Sequence, residues 1–201
     1  MKLIFIFLFI SLTSFSQSQE ATMFFNDGES FEGYGSIKNN KIKFRLSLDD
    51  EAEKWDYESI SKIEFETFFE IKTYEYIRLN KESKPVLLQL ISKGEVSLYR
   101  VVKSQWRFGV NSPNNNFLNN NFLNINFPNK NKITTVTNFI IREGEEYPSC
   151  LNCGFFNKWK KRTIDFLIDC PELIKKIKSN EFGESDLQEI INYYNDFCSD
   201  L

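Results

Sequence analysis

The chain has 201 residues, with 25 basic and 28 acidic side chains, a net charge of −3 and no histidine. That mild acidic balance argues against nucleic acid as the main partner. The missing histidine removes the Ser–His and Cys–His nucleophile pairs, and neither a P-loop nor a Rossmann fingerprint occurs.

The first element is an export signal. "MKLIFIFLFISLTSFSQSQE" has Lys2, an apolar run from Leu3 to Leu12, and then a polar Ser/Thr segment. Ser14 and Ser16 put small residues before a cut between Ser16 and Gln17. A transmembrane anchor needs roughly 20 apolar residues, about twice this run. No cysteine near the cut accepts a lipid, and no later segment is apolar enough to span a membrane. The expected product is secreted or periplasmic. Removing the first 16 of 201 residues leaves 185, and the loss of Lys2 leaves 24 basic against 28 acidic side chains. That length suits one domain with a real core, or two small ones.

Residues 17–150 read as antiparallel β structure. "FNDGESFEGYGSI" is a turn and a strand, and "KNNK" is a turn. Ile42, Phe44, Leu46 and Leu48 alternate with Lys43, Arg45 and Ser47, the pattern of a half-buried strand. Trp55 and Tyr57, then Ile63 and Phe65, continue the alternation. "YEYIRLNKESKPVLLQLISKGEVSLYRVV" holds three strands, with turns at Lys81–Lys84 and Lys93-Gly94. "KITTVTNFIIRE" is a further strand rich in β-branched residues. Local turns imply antiparallel pairing, so the expectation is a meander or roll of about seven to nine strands.

Two stretches within this region stand out. Asp49, Asp50, Glu51, Glu53, Asp56 and Glu58 cluster around an expected turn, where charge runs are usually solvated. They lack the spacing of an EF-hand loop. Residues 114–128 read NNNFL NNNFL NINFP, a five-residue repeat in three copies. A stacked solenoid needs more copies to bury a core, so residues 111–131 are expected to form a polar, Asn-rich loop between two strands.

The C-terminal region, 151–201, reads as helical. Just before it, Cys150 and Cys153 form C-L-N-C. Without histidine, and with the other two thiols placed elsewhere, zinc is a poor reading. No thioredoxin-like pattern surrounds the motif, which leaves a local second disulfide or two partly exposed thiols. A helix over about 156–168 puts Trp159, Thr163, Phe166 and Leu167 on one face. A second helix has Pro171 in its first turn and Leu173, Ile174 and Ile177 on its apolar face. It stops at Asn180 and Gly183. Ser185 and Gln188 have capping-box spacing for a third helix, whose apolar face is Leu187, Ile190, Ile191, Tyr194 and Cys198. A short turn makes the last two helices antiparallel. Their outer ends, which carry Cys170 and Cys198, then meet as a disulfide. The fold class is therefore α+β: an antiparallel β meander or roll followed by three C-terminal helices, the last two a hairpin.

"DGESFEGYGSIKNNKIKF", "GEVSLYRVV" and above all "DCPELIKKI…DLQEIINYYNDFC" carry a resemblance. With the export signal, they are similar to uncharacterised secreted proteins of flavobacteria and related bacteria. The resemblance is loose in the β half, omits 111–131 and the C-L-N-C region, and is strongest in the tail. It implies an envelope location, supports the Cys170–Cys198 pairing and implies no activity.

The residues assign no catalytic, cofactor-binding or metal-ligating group. Lys158, Lys160, Lys161 and Arg162, with Lys175, Lys176 and Lys178, form basic clusters that read as solvated helix faces. Trp55, Trp106 and Trp159 are candidates for a sugar site, although tryptophans more often fill cores. Two functions from different classes follow: a non-catalytic binding or structural module of the envelope, or a carboxylate-dependent hydrolase acting on envelope or extracellular polymers.

Overall fold

The computed structural model describes residues 18–109, 129–154 and 156–199. The segment read as an export signal and most of the segment expected to be an Asn-rich loop lie outside the described residues. The fold is α+β: a ten-strand antiparallel sheet followed by three C-terminal helices. The strand count exceeds seven to nine because two very short strands join the ladder. These are β4 (Glu53–Trp55) and β10 (Ser149–Cys150). Among the described residues, no helix is long and apolar enough to cross a membrane. The chain divides into two compact units, one through Tyr76 and one from Ile77.

The first unit holds β1 (Gln19–Phe25), β2 (Ser30–Lys38), β3 (Lys41–Arg45), β4, β5 (Ile60–Glu66) and β6 (Ile71–Ile77, its last residue apart). Their spatial order is β6-β5-β1-β2-β3-β4. The β2–β3 connection is the expected turn. Asn39 and Asn40 take positive φ, 53° and 61°, as a tight two-residue hairpin requires. The sheet curls on itself, because the Tyr76 hydroxyl on β6 donates to the Asn40 carbonyl at 3.0 Å. Two glycines of β2 permit the curl. A Cβ on Gly35 would stand 2.7 Å from Ile63 Cδ1, and one on Gly33 only 2.4 Å from the Arg45 carbonyl oxygen. Ala21, Met23, Ile42, Phe44, Ile60, Ile63 and Phe65 are buried. Leu46 and Leu48 depart from the expected alternation. β3 ends at Arg45, and both leucines lie beyond it, 62% and 48% exposed.

The second unit orders its strands β10-β9-β8-β7. β7 is Val86–Ser92, β8 is Val96–Gly109 and β9 is Asn129–Arg142. β8 and β9 pair from Val96 opposite Arg142 to Gly109 opposite Asn129. Asn129, Lys130 and Asn131 thus belong to a strand and not to the Asn-rich loop. Alternation along β8 divides two apolar clusters. Val96 and Leu98, with Ile140, face the helices, while Tyr99, with Leu88 and Phe139, packs in the other.

Three helices cover the first of these faces: α1 (Trp159–Phe166), α2 (Pro171–Lys178) and α3 (Leu187–Phe197). α1 is shorter than 156–168. Leu173 and Ile177 on α2 and Leu187, Ile190, Ile191 and Tyr194 on α3 are buried together, as the helical period requires. α2 terminates where Asn180 adopts a φ of 62°. The start of the last helix differs from the Ser185–Gln188 capping box. A single 3-10 turn, Glu184–Asp186, precedes α3, and the Asp186 carboxylate accepts the Gly183 N–H at 2.7 Å. Ser185 instead donates its hydroxyl to Asp186.

Cys170 sits just before α2 and Cys198 just after α3. They form a disulfide with 5.7 Å between Cα atoms. Cys150 and Cys153 form a second, with 5.8 Å. Two disulfides point to an oxidising, extracytoplasmic compartment.

Candidate functional site

An aromatic pocket opens in the first unit, with a volume of about 400 Å³. Its walls come from strand pairing. Met23 and Phe25 share a face of β1, and Met23 stands opposite Phe31 on β2. Phe44 stands opposite Glu53, and Trp55 lies two residues further along β4. Met23 and Phe44 are buried at its base, while Phe31 and Leu46 are exposed at its mouth. The Phe25 ring meets Phe31 and Trp55 edge-on, with centroids 5.6 and 5.3 Å apart. The segment after β3 supplies the polar groups Arg45, Asp50, Glu51 and Glu53.

Arg45 is fixed from one side. Its Nη1 donates to the Leu48 carbonyl at 2.8 Å and to that of Asp50 at 3.4 Å, and its Nη2 to Ser18 Oγ at 3.4 Å. Its Nε is buried with no hydrogen-bond partner among the described residues. A buried donor left unpaired costs about 1–3 kcal/mol, so such a group calls for a reason. Asp50 accepts the Ser47 N–H at 2.9 Å, which closes the loop that carries the acids. The carboxylates of Glu51 and Glu53 have no partner among the described residues.

The acidic cluster therefore divides. Asp50, Glu51 and Glu53 line the pocket. Asp56 instead pairs with Lys41 at 3.1 Å and accepts the Glu58 N–H, and Glu58 accepts a hydrogen bond from Tyr57. Every acid lining the pocket comes from residues 50–53, and the lining of β1 and β2 is wholly apolar. Among the described residues, no carboxylate from outside this segment joins them. Among the described residues, no cluster of acids and thiols has the arrangement of a metal site.

The other candidates scatter. Trp159 packs against the helical core, and the Trp106 side chain lies outside the described residues. The Cys150–Cys153 loop is held by Arg162, which donates to the carbonyls of Cys150, Leu151 and Cys153 at 3.3, 3.3 and 2.8 Å. Arg162 is thus a half-buried structural cation and not part of a solvated basic face. Lys160 donates to the Lys178 carbonyl and Asn180, and Lys176 pairs with Glu181. Of the residues in the pocket, sequence patterns pointed to Trp55 and the acids. Phe25, Phe31 and Arg45 carried no signal, because what unites them is cross-strand register and the curl of the sheet.

Comparison with protein-family models, with curated proteins and with solved structures finds no match.

Proposed function

We propose that the chain is an exported, non-catalytic binding module whose ligand occupies the aromatic pocket of the first unit. The observation that carries this reading is the pocket's lining: four aromatic rings with polar groups from a single segment. A concave, largely apolar site with a few placed polar groups is the usual form of a ligand pocket. The Lys2-to-Ser16 export signal, the two disulfides and the tail's likeness to secreted flavobacterial proteins support a secreted or periplasmic location. Hydrolysis by paired carboxylates needs two acids flanking one bond. The pocket's acids, all from residues 50–53, favour binding over that second reading.

Two measurements test the proposal. N-phenyl-1-naphthylamine, a neutral ring probe, should fluoresce on binding the mature chain and lose that signal with Trp55→Ala. Aryl glycosides and soluble polysaccharides should not be turned over. Hydrolysis that disappears with Glu53→Gln would replace the binding reading with the hydrolase one. Mass analysis of the exported protein should give Gln17 as its first residue, and an intact Met1 would overturn the cleavage.

A further inference from the structure

We infer that the ligand of the aromatic pocket is a pyranose unit of a neutral glycan. This rests on the binding reading above and names the chemistry the pocket selects. The pocket's volume of about 400 Å³ falls at the small end of ligand sites. It suits one or two rings of a polymer, or a chain end, and not a long segment.

The aromatic rings define the apolar part of the ligand. Phe31 and Trp55 each stand nearly perpendicular to Phe25, at 79° and 78°, so the rings are splayed and not stacked on one another. Each edge-to-face pair covers only one face of one ring, unlike a stack, which covers a face of both. A pyranose presents flat C–H faces of matching size.

The polar groups exclude the competing chemistries one by one. A hydrocarbon chain would fill the pocket but desolvate the Glu51 and Glu53 carboxylates with nothing to pair them. A cation would suit Glu51 and Glu53 but meet the Arg45 guanidinium in the same pocket. An anion would suit Arg45 but meet Asp50, Glu51 and Glu53. A ring that carries hydroxyls both accepts and donates. Its hydroxyls donate to the two unpartnered carboxylates of Glu51 and Glu53, and the ring brings no net charge of its own to desolvate. Arg45 is held by the carbonyls of Leu48 and Asp50 and by Ser18, so the loop that carries the acids is set before binding.

The test is calorimetric titration of the mature chain with cellohexaose, xylohexaose, mannohexaose, laminarihexaose, maltohexaose and chitohexaose. At least one should bind. Trp55→Ala should weaken that binding at least about tenfold, and Arg45→Met at least about fivefold. Trp55→Phe, which keeps a ring and guards against a folding defect, should retain most of it. Lys178→Gln in the second unit should leave it unchanged. If N-phenyl-1-naphthylamine binds in a Trp55-dependent way but no hexasaccharide does, the glycan inference is overturned and the binding reading stands. Binding of benzyltrimethylammonium that strengthens in Arg45→Met would overturn it in favour of a cation. If neither ring probe nor glycan binds, both readings fall together.

Discussion

Asn195 pairs with both backbone groups of Val96. Its Nδ2 donates to the Val96 carbonyl at 2.9 Å, and its Oδ1 accepts the Val96 N–H at 3.0 Å. β7 ends at Ser92, so among the described residues the start of β8 has no neighbouring strand on that side. A side-chain amide from α3 takes the place of one and fixes the helix to the strand. Asn195→Leu should therefore cost about 2–4 kcal/mol, because it strands a backbone donor and acceptor beneath the helix. Urea unfolding with an unchanged slope checks this, and a loss under about 0.5 kcal/mol would mean that water replaces the amide.

Gly94 belongs to the same joint. A Cβ there would stand 2.3 Å from Asn195 Nδ2. Movement of Asn195 would relieve the clash, but only by breaking its bonds to Val96. Gly94→Ala should destabilise by about 1–2 kcal/mol. It should add little to Asn195→Leu, since both variants remove the same contact.

Arg142 is the second joint between strand and helices. Its guanidinium donates to Glu95 at 2.9 Å, to the Tyr194 hydroxyl and to Asp169 at 3.1 Å, and Tyr194 in turn donates to Asp169 at 2.7 Å. Burial opposes the Arg142 charge, but the hydrogen bonds to Tyr194 and Glu95 outweigh it and hold the pKa above its ordinary value. Arg142→Met should cost about 1–3 kcal/mol, a range reduced for the partial exposure of the group. A double-mutant cycle with Tyr194→Phe should show coupling of at least about 0.5 kcal/mol. Strict additivity would mean that the two residues act independently.

These joints explain which parts of the fold were legible. The helical hairpin follows from the spacing of Leu187, Ile190, Ile191 and Tyr194, and the strands from period-two alternation, because both patterns are local. Asn195 and Val96 are 99 residues apart. Nothing in "NYYND" distinguishes a structural Asn from a solvated one. Arg162 misled for the same reason. Beside Lys158, Lys160 and Lys161 it looks like surface charge, yet the C-L-N-C carbonyls surround it. The pocket was half legible. Its acids and Trp55 share one segment, whereas Phe25 and Phe31 reach it only through the register of β1 and β2.

Tyr76 reports the curl of the first unit. Burial, with the nearby Asp56 charge, pushes its hydroxyl up to about 12 from an ordinary value of 10.0. Its folded pKa is raised, so its contribution to stability is complete below about pH 10 and is lost as the pH rises towards about 12. The stability advantage of the wild type over Tyr76→Phe should shrink across that window. Tyr74, Tyr147 and Tyr194 are also held above the ordinary value, so absorbance at the tyrosinate band should show a late-titrating group from which Tyr76→Phe removes one component. If Tyr76→Phe leaves the late-titrating component unchanged, Tyr76 is not buried in solution as the curl of the sheet requires.

The two disulfides should differ in what they contribute and in how they are reached. Cys170–Cys198 closes a loop with a sequence separation of 28, and both residues are buried, at 1% and 7% exposure. In the chain-entropy model a loop of that size is worth about 3–4 kcal/mol. Cys150–Cys153, with a separation of 3 and half-buried residues, is worth about 2 kcal/mol at most. Cys170→Ser and Cys198→Ser should therefore cost similar amounts. The double substitution should cost little more than either, because each breaks the same bond. Under mild reductant, alkylation should mark Cys150 and Cys153 first, since these residues are half-buried while Cys170 and Cys198 are buried. Non-reducing peptide mapping decides the connectivity. A peptide joining Cys170 or Cys198 to the C-L-N-C loop would mean that the clamp does not close the hairpin, and the near-equality of the two single variants would then fail as well.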